Sequence, residues 1–206
     1  MEKEILLSPR SLFKVVILGD HSTGKTSLLY KYMNLTNHVN ITSGCEQHLH
    51  HLKLYEKKYC FNIYDISGHY CYHKFIQPII NNNDCDGIIF VFDLSSIHSF
   101  NNLEYWMEIA NTKSNNNKFR ILIGNKSDKV IKQVHIDKIN DFCKINKMTY
   151  FETSIVSKET ITNAFDFFFN NIVITNFSDS NILNANIHIK NSDRPKRNCC
   201  FININF

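Results

Sequence analysis

The chain has 206 residues, 43% of them hydrophobic, and a net charge of +4 at neutral pH. That length gives one domain a full core with room for a tail, and so mild a positive charge makes no case for a nucleic-acid partner. No run of about 18 apolar residues predicts a membrane-spanning helix; Met1-Glu2-Lys3-Glu4-Ile5 does not open a secretory signal; and the seven cysteines, with no C-x-x-C pair among them, are expected to stay reduced in a cytosolic chain.

Residues 1–11 read as an extension. The apolar run Leu12-Phe13-Lys14-Val15-Val16-Ile17-Leu18 predicts a buried strand. It leads into Gly19-Asp20-His21-Ser22-Thr23-Gly24-Lys25-Thr26, which fits the phosphate-binding loop pattern G-x-x-x-x-G-K-[ST] at every fixed position. A helix is expected over 26–34. With a strand before it and a helix after it, the loop points its backbone N–H groups and the helix N-terminus at one spot, which favours an anion. Lys25 would reach the β- and γ-phosphates of a nucleotide, and the Thr26 hydroxyl would ligate Mg²⁺.

Two strands are expected next, over 47–55 and 59–65. Cys45, His48, His50 and His51 gather around the first. His48 and His50 share a face of a strand and His51 points the other way. With no second ligand pair at zinc spacing, they read as solvent-facing residues of an edge strand. The second strand places Phe61 and Ile63 on one face and ends in Asp65-Ile66-Ser67-Gly68, a D-x-x-G. Gly87-Ile88-Ile89-Phe90-Val91-Phe92-Asp93-Leu94 follows, then a helix over 97–112. Asn81-Asn82-Asn83 and Asn115-Asn116-Asn117 read as loop filler.

The apolar run Phe119-Arg120-Ile121-Leu122-Ile123-Gly124 ends in Asn125-Lys126-Ser127-Asp128. This N-K-x-D resembles the pattern with which GTP-binding proteins read guanine. A carboxylate at Asp128 accepts both the ring N–H and the exocyclic amine of guanine. Adenine lacks that donor pair and leaves a charged acceptor unpaired, which is costly. Asn125 is placed to tie this loop to the phosphate loop, and the Lys126 stem to lie over the base. A helix over 135–146, the short run Met148-Thr149-Tyr150-Phe151, the triplet Glu152-Thr153-Ser154 and a helix over 159–174 complete the ordered pattern. That last helix carries Ile161, Ala164, Phe165, Phe168 and Phe169 at helical spacing, a core face. From about 175 the periodicity ends. Asn, Ser and Asp dominate through Asp193, and Arg194, Lys196 and Arg197 then precede Cys199-Cys200 and an apolar tip, Phe201-Ile202-Asn203-Ile204-Asn205-Phe206.

In order and spacing these motifs resemble the Ras superfamily. The segment Gly87–Leu94 with Ser99-Phe100-Asn101-Asn102-Leu103 and Trp106 is similar to Rab proteins, and the resemblance covers about residues 12–174. It implies an α/β, three-layer phosphate-loop NTPase fold: a six-stranded, mostly parallel sheet with one antiparallel edge strand and helices on both faces. The G domain would span 12–175 and a variable tail 176–206. The resemblance implies GTP and GDP as ligands, with Mg²⁺. Phosphate binding falls to Gly19, Asp20, His21, Ser22, Thr23, Gly24, Lys25, Thr26, Ser27 and Gly68. Guanine falls to Asn125, Lys126, Asp128, Ser154 and the backbone N–H of Ile155. The metal falls to Thr26, Thr42 and Asp65, with Thr36 as the fallback for Thr42. An exchange factor, a GTPase-activating protein and effectors are the implied partners. The implied place is the cytoplasm, with peripheral attachment to the cytosolic face of an internal membrane if the tail is lipidated.

The departures from the family pattern matter as much. The Gln that follows D-x-x-G in most relatives and orients the attacking water is His69 here. Losing that amide predicts slow intrinsic hydrolysis that a partner assists. GTPases of protein synthesis carry a His in the same place, so His69 stays the catalytic candidate. His21 stands where relatives hold a small residue facing the γ-phosphate; it either crowds an incoming arginine finger or points outward. Gln47 and Asn81-Asn82 stand where Rab effector surfaces carry aromatics, and a further aromatic survives as Tyr64 where the family has Trp, so family effectors are not expected to transfer. Ile155-Val156 stands for Ala-Lys. Cys199-Cys200 resembles the paired cysteines that receive geranylgeranyl groups in Rab proteins, but six residues follow the pair, more than family endings leave. Lipidation and an unmodified tail both stand. The leading reading is a Rab-like GTP-dependent switch in vesicle or membrane trafficking. The alternative is a guanine-nucleotide-binding scaffold with negligible turnover. A phosphate-loop kinase is disfavoured, since nothing resembles a lid or an acceptor site.

Overall fold

The structure is a computed structural model that describes residues 11–36, 42–55, 57–81, 85–111 and 118–176. The extension before residue 11, Asn82-Asn83, Asn115-Asn116-Asn117 and the tail with Cys199 and Cys200 lie outside the described residues.

Strands β1 (Leu12–Leu18), β4 (Cys85–Asp93) and β5 (Phe119–Asn125) are apolar along most of their length, the pattern of strands covered on both faces. β2 (Cys45–Leu54) and β3 (Lys57–Ile66) alternate in burial instead. With β6 (Thr149–Glu152) they form a six-stranded sheet in the order β2-β3-β1-β4-β5-β6. Within it only the β2–β3 pair is antiparallel. The crossovers reverse direction at β1, which has β3 on one side and β4 on the other. In open α/β sheets ligands bind outside the strand carboxyl ends at such a point, and Gly19 begins there.

Alternation along β1 feeds two cores. Phe13, Val15 and Ile17 face α1 (Lys25–Met33) and α6 (Lys158–Asn176), where they meet Leu28, Leu29, Phe165, Phe168 and Phe169. Val16 and Leu18 face the other side. There α2 (Ile76–Asn81), α3 (Ile97–Asn101), α4 (Leu103–Asn111) and α5 (Ile136–Asn146) contribute Ile80, Phe100, Trp106 and Ile139 to the core. Ile161, Ala164, Phe165, Phe168 and Phe169 are all buried. At about 25 cal/mol per Å² of apolar area, each buried Phe contributes on the order of 2–3 kcal/mol. Among the described residues no helix is long and apolar enough to cross a membrane.

Three local expectations change. The helix expected over 97–112 is two helices separated by Asn102, whose backbone N–H is shared between His98 O and Phe100 O. A 3₁₀ turn over Tyr70–Phe75 and the six-residue α2 occupy a stretch where no helix was expected. Both are too short for an apolar periodicity to show, and Pro78 sits inside α2. His48 and His50 are not solvent-facing: they turn inward, their rings 5.5 and 5.2 Å from those of Tyr30 and Tyr32 on α1. The register explains it. His48 pairs with Ile63 and His50 with Phe61, residues whose side chains lie in the core against α1 and α6, and directly opposed residues share a face. Gln47, Leu49 and His51 take the exposed face.

Candidate functional site

The loop between β1 and α1 takes its shape from two glycines. Gly19 has φ +144°, and a Cβ there would lie 2.0 Å from Val91 O. Gly24 has φ +95° and is the left-handed N-cap of α1; a Cβ there would lie 2.2 Å from Asn125 Nδ2. No side chain fits either place, so the loop can lie flat against β4 and β5. Lys25 opens α1 and folds back, with Nζ donating to Gly19 O and Asp20 O at 2.8 Å each. It is 6% exposed. Burial pushes its ammonium down to about 8, against the pull of Asp65 and Asp20. Thr23 is buried and its hydroxyl donates to Asp20 O at 2.9 Å. His21 and Ser22 are exposed, and Ser27 lies further along α1 and is partly buried.

Three oxygens meet beside Lys25. The Thr26 hydroxyl is 2.5 Å from Asp65 Oδ2 and 2.7 Å from the Thr42 hydroxyl. Thr42 Oγ1 is 3.5 Å from the same carboxylate oxygen. Thr42 is buried and Thr36 is exposed, so of the two candidates Thr42 is the one at this cluster. Asp65 is fully buried, and its other oxygen, Oδ1, has no hydrogen-bond partner among the described residues. Burial pushes its carboxyl above the usual range, while the Thr26 hydrogen bond and Lys25 pull it back. Two hydroxyls and a carboxylate with an unused buried oxygen form a hard-oxygen donor set that fits a cation such as Mg²⁺.

Gly68 presses on the phosphate loop, since a Cβ there would lie 2.2 Å from His21 N. His69 therefore arrives beside His21. Their rings stack with centroids 5.7 Å apart and an interplanar angle of 28°. His69 Nδ1 also lies 3.8 Å from Cys71 Sγ.

The base loop is joined to the phosphate loop by a buried hydrogen bond. Asn125, at the end of β5, donates from Nδ2 to Thr23 O at 2.8 Å and accepts from the Thr153 hydroxyl at 3.3 Å. Lys126 has φ +62°, and its Nζ lies 2.7 Å from Asp93 Oδ2. Burial of Asp93 works against its charge, but hydrogen bonds from Lys126 and Ser95 outweigh it and hold the carboxyl below the usual range. Asp128 accepts a short hydrogen bond from the Ser154 hydroxyl, which fixes one carboxylate oxygen. Ile155 is 50% exposed.

A cleft of about 630 Å³ runs along Asp20–Thr23, Gly68–Tyr70, Asp93, Asn102 and Lys126. Asp93 carries no motif of its own in the sequence. Its signal is positional: it ends β4 in register with Asn125, so the loops after both strands open at one level. Cys199 and Cys200 lie outside the described residues.

Similarity to known proteins falls on the same stretch. The model of the Ras family matches residues 14–174. The chain is 27% identical over 198 residues to the Ras-related protein Rab-9A of Rattus norvegicus, covering 92% of this chain and 98% of that protein. It is 28% identical over 204 residues to the Ras-related protein Rab7 of Pisum sativum, covering 93% and 97%. It is 30% identical over 169 residues to the Ras-related protein RabL of Dictyostelium discoideum, covering 76% and 81%.

Proposed function

The chain belongs to the Ras family as a divergent, Rab-like GTPase, and from that premise we propose that it is a GTP/GDP switch of membrane trafficking with slow, partner-assisted hydrolysis. The observation that carries this reading is the convergence of Lys25, Thr26, Thr42 and Asp65 at one end of a loop that Asn125 ties to Asp128 and Ser154.

Each residue then has a task. Backbone N–H groups from Asp20 to Ser27 and the Lys25 ammonium bind the phosphates. Thr26, Thr42 and Asp65 would hold Mg²⁺, which supplies positive charge to phosphate oxygens when bound. Asp128 selects guanine by its acceptor pair, with Ser154 orienting the carboxylate. Ile155 closes the rim with its backbone, and Lys126, held by Asp93, covers the base. Thr42 and the Gly68 N–H flank the γ-phosphate. They hold the two switch segments while it is present and release them after hydrolysis. His69 holds the attacking water from its ring. Its two ring nitrogens point away from each other, so unlike the amide of a Gln it cannot turn a donor and an acceptor together toward one water, hence the slow turnover.

Lipid on Cys199 and Cys200 anchors the protein to the cytosolic face of an internal membrane. Two chains hold stably where one is marginal, and Arg194, Lys196 and Arg197 add attraction to anionic lipid. A native-source mass equal to the bare chain, with unchanged membrane fractionation of a Cys199→Ser, Cys200→Ser double variant, removes that part of the proposal.

A second reading, a guanine-nucleotide scaffold without turnover, is favoured by the His21–His69 stack, in which each ring occupies space beside the other. Two measurements separate the readings: identification of the co-purifying nucleotide, and single-turnover hydrolysis of bound GTP with and without cytosolic extract. Bound GDP and extract-stimulated hydrolysis support the switch. Bound GTP that persists in extract supports the scaffold. Binding of ATP as tight as GTP overturns both.

A further inference from the structure

Asp20 is a carboxylate inside a loop built to attract anions, and both of its oxygens are engaged elsewhere. Oδ1 accepts from Trp106 Nε1 at 2.7 Å and Oδ2 accepts from Asn102 Nδ2 at 2.7 Å. His98 Nδ1 lies 3.5 Å from Oδ2. All three partners come from the single stretch that forms α3, Asn102 and α4. Its anchor is firm, because the Trp106 ring is 1% exposed and sits in the core beneath β4 and β5. The break between α3 and α4 falls at Asn102, the residue that reaches Asp20.

The same Asp20 shapes the phosphate loop through its backbone. Its carbonyl accepts from Lys25 Nζ and from the Thr23 hydroxyl. Thr23 O in turn takes the hydrogen bond from Asn125. Asp20 therefore joins Trp106 and Asn102, through its carboxylate, to Lys25 and Thr23, through its carbonyl, and Thr23 carries the connection on to the base loop. A carboxylate that accepts one donor on each oxygen is held in one place. Freed, it would be a mobile anion beside the nucleotide's own charge.

We propose that Trp106 and Asn102 are positioning residues for nucleotide retention: by gripping the Asp20 carboxylate they lock the phosphate loop to the helices after β4 and hold the Lys25 ammonium in place. The proposal rests on the reading of Gly19–Thr26 as the nucleotide's phosphate site. It goes beyond that reading by assigning a role to Trp106, which is buried beneath the sheet, and to Asn102, which lines the cleft outside the phosphate-loop and base-loop motifs.

The test is the dissociation rate of a bound fluorescent GDP analogue, chased with excess GDP at fixed Mg²⁺, alongside the thermal midpoint in saturating GDP. Asn102→Asp sets two carboxylates at hydrogen-bond distance, and Trp106→Phe keeps an aromatic ring in the core while removing the donor and some ring volume, a packing loss that the thermal midpoint reads separately. Loss of a hydrogen bond to a charged group predicts roughly ten- to hundredfold faster release for Asn102→Asp and about tenfold for Trp106→Phe. The exchanged pair, Asp20→Asn with Asn102→Asp, restores one donor and one acceptor: the amide oxygen introduced at position 20 still accepts from Trp106, and the amide nitrogen donates to the carboxylate introduced at position 102. Release should return to within about threefold of wild type. A purely structural bond would lower the midpoint and leave release from the folded protein unchanged, and that result overturns the proposal. So does an exchanged pair that releases GDP as fast as Asn102→Asp alone. If Asn102→Asp does not fold, Trp106→Phe alone decides. Wild-type protein that retains no guanine nucleotide removes the functional reading and this proposal together; wild type that retains it while both single variants match it removes this proposal only.

Discussion

Raising the pH should weaken nucleotide binding through one identifiable group, Lys25. Its ammonium is nearly sealed from solvent and, among the described residues, donates to two loop carbonyls, with Asp65 and Asp20 nearby. Burial outweighs those two carboxylates and brings the group from 10.5 to about 8. A bound polyphosphate favours the charged form, so the lysine in the complex titrates higher than in the free protein. Binding between those two values takes up a proton, and affinity must fall as pH rises through the lower one. With the free-protein value at about 8, the dissociation constant should be nearly flat below pH 7, roughly double by pH 8, and rise about tenfold by pH 9. Lys25→Met cannot protonate and should bind about a hundredfold more weakly or worse at pH 7, because a charge-assisted contact to phosphate is lost. Titration of a fluorescent GDP analogue at fixed Mg²⁺ from pH 6.5 to 9 (the chosen range) measures both. The guanine ring loses its own proton in the alkaline range; the methionine variant carries that contribution alone and serves as the baseline. An affinity that parallels the Lys25→Met curve across the range, or a Lys25→Met variant with wild-type affinity at pH 7, would refute the assignment of Lys25 to the phosphates.

Asp128→Asn should lower guanine nucleotide affinity by roughly a hundredfold or more and shift preference toward xanthine nucleotides, whose extra oxygen suits an amide donor; competition binding of the two nucleotides reads it directly. His69→Gln should speed single-turnover GTP hydrolysis about tenfold, and His21→Gly should add to it by removing the stacked ring. A slower His69→Gln enzyme would mean that the imidazole positions the water better than an amide does, and the slow-hydrolysis reading would be wrong. Acid should destabilise the fold through His50, whose pKa is lowered by burial and by His51. A base with a depressed folded-state pKa contributes no penalty above its unfolded value near 6.5, and stability falls as pH drops below that value because the unfolded chain takes the proton first. His50→Phe keeps the packing on Tyr32 and Phe169, so its thermal midpoint in saturating GDP should drop less between pH 7.5 and 5.5 (the chosen range) than that of wild type; equal drops would clear His50 of the effect.

The candidate site was legible where it is formed by residues close together in sequence. Gly19–Thr26 forms its loop from local backbone geometry, so a strand before and a helix after suffice to place it. Asn125, Lys126 and Asp128 follow a strand in the same way, and the Phe-rich face of α6 announced itself by period. What stayed hidden depends on register and long-range packing. Whether His48 and His50 face solvent or core turns on which residues of β3 oppose them, and a one-residue slip would reverse it. Thr42 over Thr36 is decided by which hydroxyl reaches Asp65, not by spacing from Thr26. Lys126 meets Asp93 because β4 and β5 end level. Asp20 meets Trp106 across 86 positions of chain because the fold brings α4 to the loop after β1. No periodicity or motif encodes a hydrogen bond between residues that far apart; only the closed fold brings the donor to the acceptor.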